Sequence, residues 1–217
     1  MVTPLLAGFG LGLSLIVAIG AQNLFVLRQG LRREHVFAVA AVCAVSDAVL
    51  IVLGVSGIGL VLQAVPWLID AVRWAGAVFL VVYGLLAARR ARRPSGVGLT
   101  EAADTPGDAG RPAGSAAVAT RTRLLPVLLT CLALTWLNPH VYLDTVFLLG
   151  TVANTHGDGR WPFALGAATA SVVWFFGLAF GARLLGRWLA TPRAWRILDG
   201  IIAVVMIAIG VSLVLPH

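Results

Sequence analysis

The chain has 217 residues, of which 59% are hydrophobic and 12% are charged, with a formal net charge of +7. Soluble domains contain about 45–50% apolar and about 25% charged residues, so this composition excludes a soluble enzyme, a disulfide-stapled domain and a disordered chain. All the basic residues are arginines, and they are separated by long apolar runs that a soluble nucleic-acid-binding domain could not bury. We therefore predict an integral membrane protein with no nucleic-acid partner.

Six apolar segments are each long enough to cross a bilayer, whose core of about 30 Å needs about 20 residues per helix. Their Leu, Val, Ala and Ile follow one another without strand-like alternation, which predicts helices. In chain order the segments are residues 5–27, 36–62, 67–88, 124–151, 162–186 and 197–215.

The first predicted helix is interrupted by its own sequence at Gly20-Ala21-Gln22-Asn23. Glycine loosens the helical backbone there, and two amide side chains follow it. Irregular backbone at membrane depth is tolerated only where it is buried in protein or lines an aqueous cavity. We interpret this break as part of a substrate site; the alternative is that the amides only bridge neighbouring helices.

The second predicted helix carries Asp47 near its middle. A carboxylate at this depth costs at least about 2.5–3.5 kcal/mol on insertion scales, so it should face the bundle interior or a cavity. We predict that it binds substrate and couples transport to protons. The structural alternative is that Arg28, at the end of the first helix, reaches towards an intramembrane acid and neutralises it.

Residues 94–120 are rich in Gly, Ala, Pro, Thr and Ser and contain no large apolar cluster, which predicts a flexible linker. The linker separates a first three-helix half, residues 1–93, from a second, residues 121–217. Because each half has an odd number of helices, the second half enters the membrane in the opposite orientation, as in an inverted repeat. Sequence support for the repeat is weak: Ser46-Asp47 of helix 2 loosely matches Ala170-Ser171 of helix 5. The predicted fold is an all-α integral membrane protein of six transmembrane helices in two inverted three-helix repeats.

The fourth predicted helix is broken at Asn138-Pro139-His140. Proline removes an amide donor and clashes with the preceding turn, which leaves carbonyls that need other partners. Asp144 follows His140 by four residues and therefore shares its helix face. Asp144 could instead be solvated near the outer end, and His140 could be a hydrogen-bonded packing group.

Paired breaks in corresponding helices are the best sequence indication of a transporter's midplane site. The predicted substrate-binding residues are Gln22, Asn23, Asp47, Asn138, Pro139, His140 and Asp144, with Asp47 and Asp144 as the proton-coupling pair.

The arginines are distributed unevenly between the two sides of the predicted membrane. Fourteen belong to the links after helices 1, 3 and 5, and two, Arg73 and Arg160, lie on the other side. The positive-inside rule then places the linker in the cytoplasm, where its arginines can meet anionic lipid headgroups, and both termini outside.

The two cysteines, Cys43 and Cys131, lie in apolar helices without metal-ligand spacing, so we interpret them as small packing residues. The sequence has no phosphate-binding glycine loop, zinc-type His/Glu cluster or nucleophile elbow. We predict no enzymatic activity, no cofactor and no bound metal.

Several of these motifs resemble the lysine exporter (LysE) family, and more closely its basic amino acid exporters. The resemblance covers nearly the whole chain except the linker and the last helix. In several relatives a proline follows the first-helix glycine where this chain has Ala21, which makes the first break softer. The matching motifs are residues 19–33, Cys43-Ala44-Val45-Ser46-Asp47, residues 135–145 (Thr-Trp-Leu-Asn-Pro-His-Val-Tyr-Leu-Asp-Thr) and Trp174-Phe175-Phe176-Gly177.

The resemblance implies a secondary exporter of the bacterial cytoplasmic (inner) membrane that moves L-arginine, and by extension L-lysine and toxic arginine analogues, out of the cell. Intramembrane acids suit a guanidinium or ammonium group, and we expect a proton to compete with the substrate for the same carboxylate. A metal-cation or other small-cation exporter of the same superfamily is one alternative, because Asp47, His140 and Asp144 could ligate a metal. A non-transporting structural membrane protein is the other. The sequence leaves the oligomeric state open, a homo-oligomer included.

Overall fold

A computed structural model describes residues 2–18, 20–57, 66–92, 123–185 and 192–215, and these residues form helices and short turns without a strand. The predicted linker 94–120, the end of the second predicted segment and the links around residues 186–191 lie outside the described residues. The helices are α1 (Val2–Ile16), α2 (Ala21–Arg32), α3 (Val36–Val55), α4 (Pro66–Arg92), α5 (Leu124–Trp136), α6 (Pro139–Thr155), α7 (Arg160–Leu185) and α8 (Pro192–Ser212).

Four of these helices, α3, α4, α7 and α8, are each long and apolar enough to cross a membrane. The pairs α1–α2 and α5–α6 meet the same requirement when each pair is taken together, and they are bent by 83° and 57°. The described residues therefore contain up to six spans, and these fall at the six apolar segments predicted from the sequence.

The break between α5 and α6 follows from Asn138-Pro139, as predicted. Pro139 occupies the first position of α6, where a missing amide donor costs nothing, and the Asn138 side chain caps the helix by accepting the His140 amide at 3.2 Å. The Tyr142 hydroxyl donates to the Trp136 carbonyl at 2.9 Å and satisfies a group released at the end of α5. Residues Tyr142–Leu149 of α6 form a π-helix.

The break between α1 and α2 lies about one turn earlier than predicted. α1 ends at Ile16, and Gly20, in extended conformation, precedes α2. The predicted break residues Gln22 and Asn23 are therefore in the first turn of α2. Asn23 explains the difference, because its Nδ2 donates to the carbonyls of Ile16 at 2.7 Å and Ala18 at 2.8 Å. The amide thus satisfies carbonyls that lack helical partners at the end of α1, and α2 resumes directly before it.

Close helix contacts show that α1 runs parallel to α7, and α3 parallel to the α5–α6 span. Cβ atoms added to Gly8 and Gly12 of α1 would lie 3.0 Å from the Phe163 Cα and 2.9 Å from the Ala167 Cα of α7, so both helices advance in the same direction. Cys43 of α3 contacts Cys131 of α5, and further along both spans a Cβ at Gly150 of α6 would lie 2.7 Å from the carbonyl carbon of Gly54 on α3. Only glycine allows the backbones to approach this closely, which is a common way of packing helices in membranes.

Helices α4 and α8 pack against each other in opposite directions. Arg73, near the start of α4, donates to the carbonyl of Leu213 and, through Nη2 at 3.0 Å, to that of Leu215, both in the turn that follows α8. At the opposite end of the pair, Arg196 of α8 donates to the Ala91 carbonyl of α4 at 2.9 Å. Each arginine therefore satisfies carbonyls at the end of the partner helix.

The outer surface of α4 is strongly apolar, with exposed Trp74, Val78, Val82 and Leu85. In a soluble monomer such a continuous patch would favour association, whereas in a bilayer it faces lipid. The core lies between the helices, where Phe25, Leu134 and Phe175 belong to one buried cluster.

Candidate substrate site

Asp47 lies on α3 inside the bundle, with 6% of its surface exposed. Its Oδ2 accepts a hydrogen bond from the hydroxyl of Ser171 on α7 at 3.0 Å, and Ser171 is fully buried. Phe37 packs edge-to-face against Phe176, with ring centroids 5.5 Å apart, which shows that α3 and α7 run in opposite directions at this contact. Asp47 thus faces the bundle interior, as predicted, and its partner is a neutral hydroxyl.

Arg28, the alternative partner considered from the sequence, does not neutralise Asp47 or Asp144. Its Nη2 lies 3.1 Å from Oδ1 of Asp199 on α8, and both side chains are nearly inaccessible. Arg90 of α4 approaches the same carboxylate oxygen at 3.7 Å and rests against the Tyr83 ring. The buried ion pair therefore joins α2 to α8, and no arginine of the described residues pairs with Asp47.

Asp199 is a buried acid that the sequence analysis missed. It follows Arg196 by three residues, near the arginine-rich start of the last segment. Because of these neighbours, Asp199 looked like one more charged residue at the membrane surface. The available signal was its position inside an apolar helix, since ionisable residues within transmembrane segments are rare and usually paired.

Asn23 of α2 and Asp47 of α3 both form hydrogen bonds with the same face of α7. Oδ1 of Asn23 accepts a hydrogen bond from Nε1 of Trp174 at 3.2 Å. Trp174 follows Ser171 by three residues on α7, and residues at this spacing are neighbours on a helix surface. The partners of Asn23 and Asp47 are thus adjacent, which brings the start of α2 close to the Asp47 carboxylate.

Gln22 lies beside the Cys43 thiol, one turn before Asp47 on α3. Gln22 is buried, and its Nε2 has no hydrogen-bond partner in the part of the chain that the structure describes. Cys43 and Cys131 are free and fully buried, with their sulfur atoms 2.9 Å apart between α3 and α5, so they pack inside the bundle as predicted. Gln22, Asn23 and Asp47 therefore belong to one region of the bundle.

The residues of the second break are placed differently. Pro139 is buried, Asn138 and Asp144 are half-buried and His140 is exposed. Within the described ranges no hydrogen bond or ion pair joins these four side chains to Gln22, Asn23 or Asp47. One indirect connection exists, because Nε1 of Trp136, at the end of α5, donates to the hydroxyl of Ser46 at 3.3 Å, next to Asp47.

The alternative of a metal-cation exporter requires a group of ligands. Among the described residues no three His, Cys, Asp or Glu side chains are close enough to hold a metal ion. Asp47, His140 and Asp144, the three candidate ligands, are thus not brought together as a metal site.

Bent membrane spans around a buried, uncompensated carboxylate are features of a multi-span membrane transporter. A family model described as LysE type translocator matches residues 13–216, and the chain therefore belongs to the LysE type translocator family. It is a transporter and not an enzyme.

Three relatives illustrate the similarity. A Mycobacterium tuberculosis protein named as a candidate amino-acid transporter is 48% identical over 199 residues, which cover 92% of this chain and 90% of that protein. The arginine exporter protein ArgO of Serratia proteamaculans is 41% identical, with 98% of this chain and 97% of the relative covered. The lysine exporter LysE of Corynebacterium glutamicum is 38% identical, with 97% of each chain covered. No solved structure matches the chain.

Proposed function

We propose that the protein exports L-arginine, with L-lysine and toxic arginine analogues as further substrates, from the bacterial cytoplasm in exchange for protons. The observation that carries this proposal is the buried Asp47 carboxylate, whose hydrogen-bond partner is the neutral Ser171 hydroxyl. A carboxylate inside the membrane without an arginine partner attracts a cation, and the named relatives include an arginine exporter and lysine exporters.

The side chains around Asp47 suit the two ends of a cationic amino acid. Asp47 would bind the guanidinium or ammonium group. The Nε2 of Gln22, beside the α1–α2 break, would donate to the substrate carboxylate, and the Nδ2 of Asn138 would do so from the second break. Asn23, whose Nδ2 already donates to the carbonyls of Ile16 and Ala18, and Pro139, which has no N–H, would hold the two breaks that shape the site. His140 and Asp144 would extend the pathway along α6.

Proton exchange would remove the electrical cost of export. Arginine carries one net positive charge, and moving that charge out against an inside-negative potential costs roughly 2.3 kcal/mol per 100 mV. Entry of one proton cancels this cost, and a second proton would add the potential as a driving force. Asp47 would hold either the proton or the substrate, and Asp144 would be the second proton-coupling group.

We further propose that the six spans form two inverted three-helix repeats, residues 1–93 and 121–217, with both termini outside and linker 94–120 in the cytoplasm. The antiparallel pairs α3–α7 and α4–α8 support this arrangement, because each pair joins corresponding helices of the two halves. The parallel packing of α1 with α7, and of α3 with α6, agrees with it.

The experiment that tests the function uses purified protein in liposomes. An imposed proton gradient should drive arginine counterflow in the parent protein and not in Asp47→Asn, since the amide keeps the shape of the side chain and loses its charge. Asp158→Asn is the matched control, because Asp158 is exposed in the turn before α7, and it should transport like the parent. Gradient-insensitive transport in the parent, or full activity of Asp47→Asn, would contradict the proposal.

Two additional measurements address the alternatives. Divalent cations should neither be carried nor compete with arginine, since the described residues contain no group of three metal ligands. A protein with only a structural role would show no arginine flux above that of empty liposomes.

A further inference from the structure

We propose that Ser171 is a positioning residue that holds Asp47 in both of its protonation states, and that it is therefore specifically required for the proton-coupled part of the transport cycle. This inference rests on the proposed proton antiport. It starts from one contact, the 3.0 Å hydrogen bond between Ser171 Oγ and Asp47 Oδ2.

The contact is isolated from other charged groups. Asp47 and Ser171 are both buried, and the described side chains form no ion pair with Asp47, since Arg28 and Arg90 both approach Asp199. The titratable neighbours are the thiol of Cys43, one turn earlier on α3, and beyond it Cys131 of α5. The carboxyl group therefore depends on Ser171 for polar stabilisation from the protein.

A serine hydroxyl is chemically suited to a carboxyl group that changes its charge. It donates a hydrogen bond to an ionised carboxylate, and it accepts one from a protonated carboxylic acid. A buried polar group that loses its partner is costly, so a group that is charged in one step and neutral in another needs a neighbour with both capacities. Ser171 supplies this without a charge of its own that would repel a cationic substrate.

The two half-cycles of an antiporter depend on this contact to different extents. With substrate bound, the substrate cation compensates the ionised Asp47. When the carrier returns without substrate, the protonated Asp47 has only Ser171 as a partner among the described side chains. Loss of the hydroxyl should therefore slow the proton-loaded return more than the substrate-loaded step.

Liposome assays separate these two steps. Arginine–arginine exchange at equal pH on both sides needs only the substrate-loaded carrier, whereas net arginine flux driven by a pH gradient also needs the proton-loaded return. For Ser171→Ala we expect the ratio of net flux to exchange to fall about tenfold, the size expected from losing one buried hydrogen bond to an ionisable group. Ser171→Thr keeps the hydroxyl and should restore the ratio to within about twofold of the parent.

A control variant tests whether losing any serine hydroxyl changes the ratio, and a second variant at Ser171 is available if the alanine variant cannot be purified. Ser212→Ala removes a hydroxyl whose partner within the described part of the chain is the Ile209 carbonyl of its own helix, so its ratio should equal that of the parent. Ser171→Cys supplies a weaker donor of similar size, so it should give an intermediate ratio, and it replaces the alanine variant if that variant cannot be purified.

The outcomes distinguish this inference from the function on which it rests. A parent protein without gradient-driven arginine flux would contradict the antiport itself. A coupled parent whose Ser171→Ala variant keeps the parent's ratio would overturn the inference alone. It would also be overturned if the ratio fell in Ser171→Ala and stayed equally low in Ser171→Thr, because the loss would then follow the packing of the side chain and not its hydroxyl.

Discussion

The Asn23 side chain makes three hydrogen bonds, which it can do because an amide is both donor and acceptor. Its nitrogen donates to the released carbonyls of Ile16 and Ala18, while its oxygen accepts from Trp174 of α7. The residue thus ends one helix, begins the next and fixes the bent span to the helix that carries Ser171. A change at this position should affect both the shape of the break and the site.

We expect Asn23→Ala to lower arginine export strongly while the protein remains in the membrane. The variant removes the donor to the Ile16 and Ala18 carbonyls and the acceptor of the Trp174 indole, and each such hydrogen bond contributes about 0.5–1.5 kcal/mol. Asn154→Ala is the matched control, because the Asn154 amide bonds to the Gly150 carbonyl of its own helix at 2.9 Å. Export per molecule, normalised to membrane abundance, is the measurement. Equal export by Asn23→Ala and the parent would show that Asn23 does not belong to the site.

Single residues were predictable from the sequence where their chemistry conflicts with a membrane environment. Asp47 and Asn138-Pro139 were found in this way. Ser171 had no such signal, because a serine is unremarkable in an apolar helix, and only its weak correspondence to Asp47 between the two halves indicated it. The partner of a buried group is a property of the tertiary packing, and for the same reason the pairing of Arg28 with Asp199 was not foreseen.

At the level of helices, the existence and order of the spans could be predicted because length and hydrophobicity determine them. The position of the first break could not. Backbone carbonyls released by a break need donors, and the Asn23 side chain reaches back over a turn to provide them, so α1 ends before the glycine that indicated the break. The second break was located correctly because proline fixes it locally.

The buried ion pair between α2 and α8 gives a prediction for these elements. Asp199→Leu should destabilise the protein most, because it leaves both Arg28 and Arg90 without their shared carboxylate. Removing one partner of a buried pair costs about 3–5 kcal/mol, whereas replacing both with apolar residues is often neutral. Arg28→Met should cost less than Asp199→Leu, since Arg90 remains near Asp199.

A double-mutant cycle of thermal unfolding in detergent measures this coupling. The double variant Arg28→Met/Asp199→Leu should be more stable than the sum of the two single effects predicts. The exposed Arg160, which packs only over the Trp161 ring within the described residues, provides the control Arg160→Met, and its melting temperature should be close to that of the parent. Strictly additive effects of the two substitutions would show that the ion pair does not contribute as a unit.

At the level of the whole molecule, contacts between corresponding helices recur in pairs. Asp47 of α3 meets Ser171 of α7, two positions that were matched between the halves from the sequence alone. Arg73 and Arg196 bind the ends of each other's helices in the α4–α8 pair. Such reciprocal contacts are expected around a two-fold axis in the membrane plane, about which two inverted halves can rock. The division into two halves stays a prediction from helix number and charge, whereas the reciprocal contacts could be identified only from the three-dimensional packing.

The proposed inverted arrangement predicts which side of the membrane each loop faces. With fourteen arginines on one side of the membrane and two on the other, the linker should be cytoplasmic, and the turn between α6 and α7 should lie outside. A cysteine at Gly107 in the linker should resist an impermeant thiol reagent in intact cells and react after the cells are opened. A cysteine at Asp158, exposed in the turn before α7, should react in intact cells.

The parent protein serves as the background for this labelling experiment. Cys43 and Cys131 are fully buried against each other, so the unmodified chain should show little labelling in either condition and the native cysteines need not be removed. A cysteine added after His217 should behave like the one at Asp158, because the proposed topology places the C-terminus outside.

Two labelling patterns would contradict this topology. Rapid labelling of the Gly107 cysteine in intact cells, together with protection of the other two, would reverse the orientation. Labelling of all three in intact cells would instead show that the number of spans between the linker and the α6–α7 turn is even, which contradicts two inverted halves of three spans each.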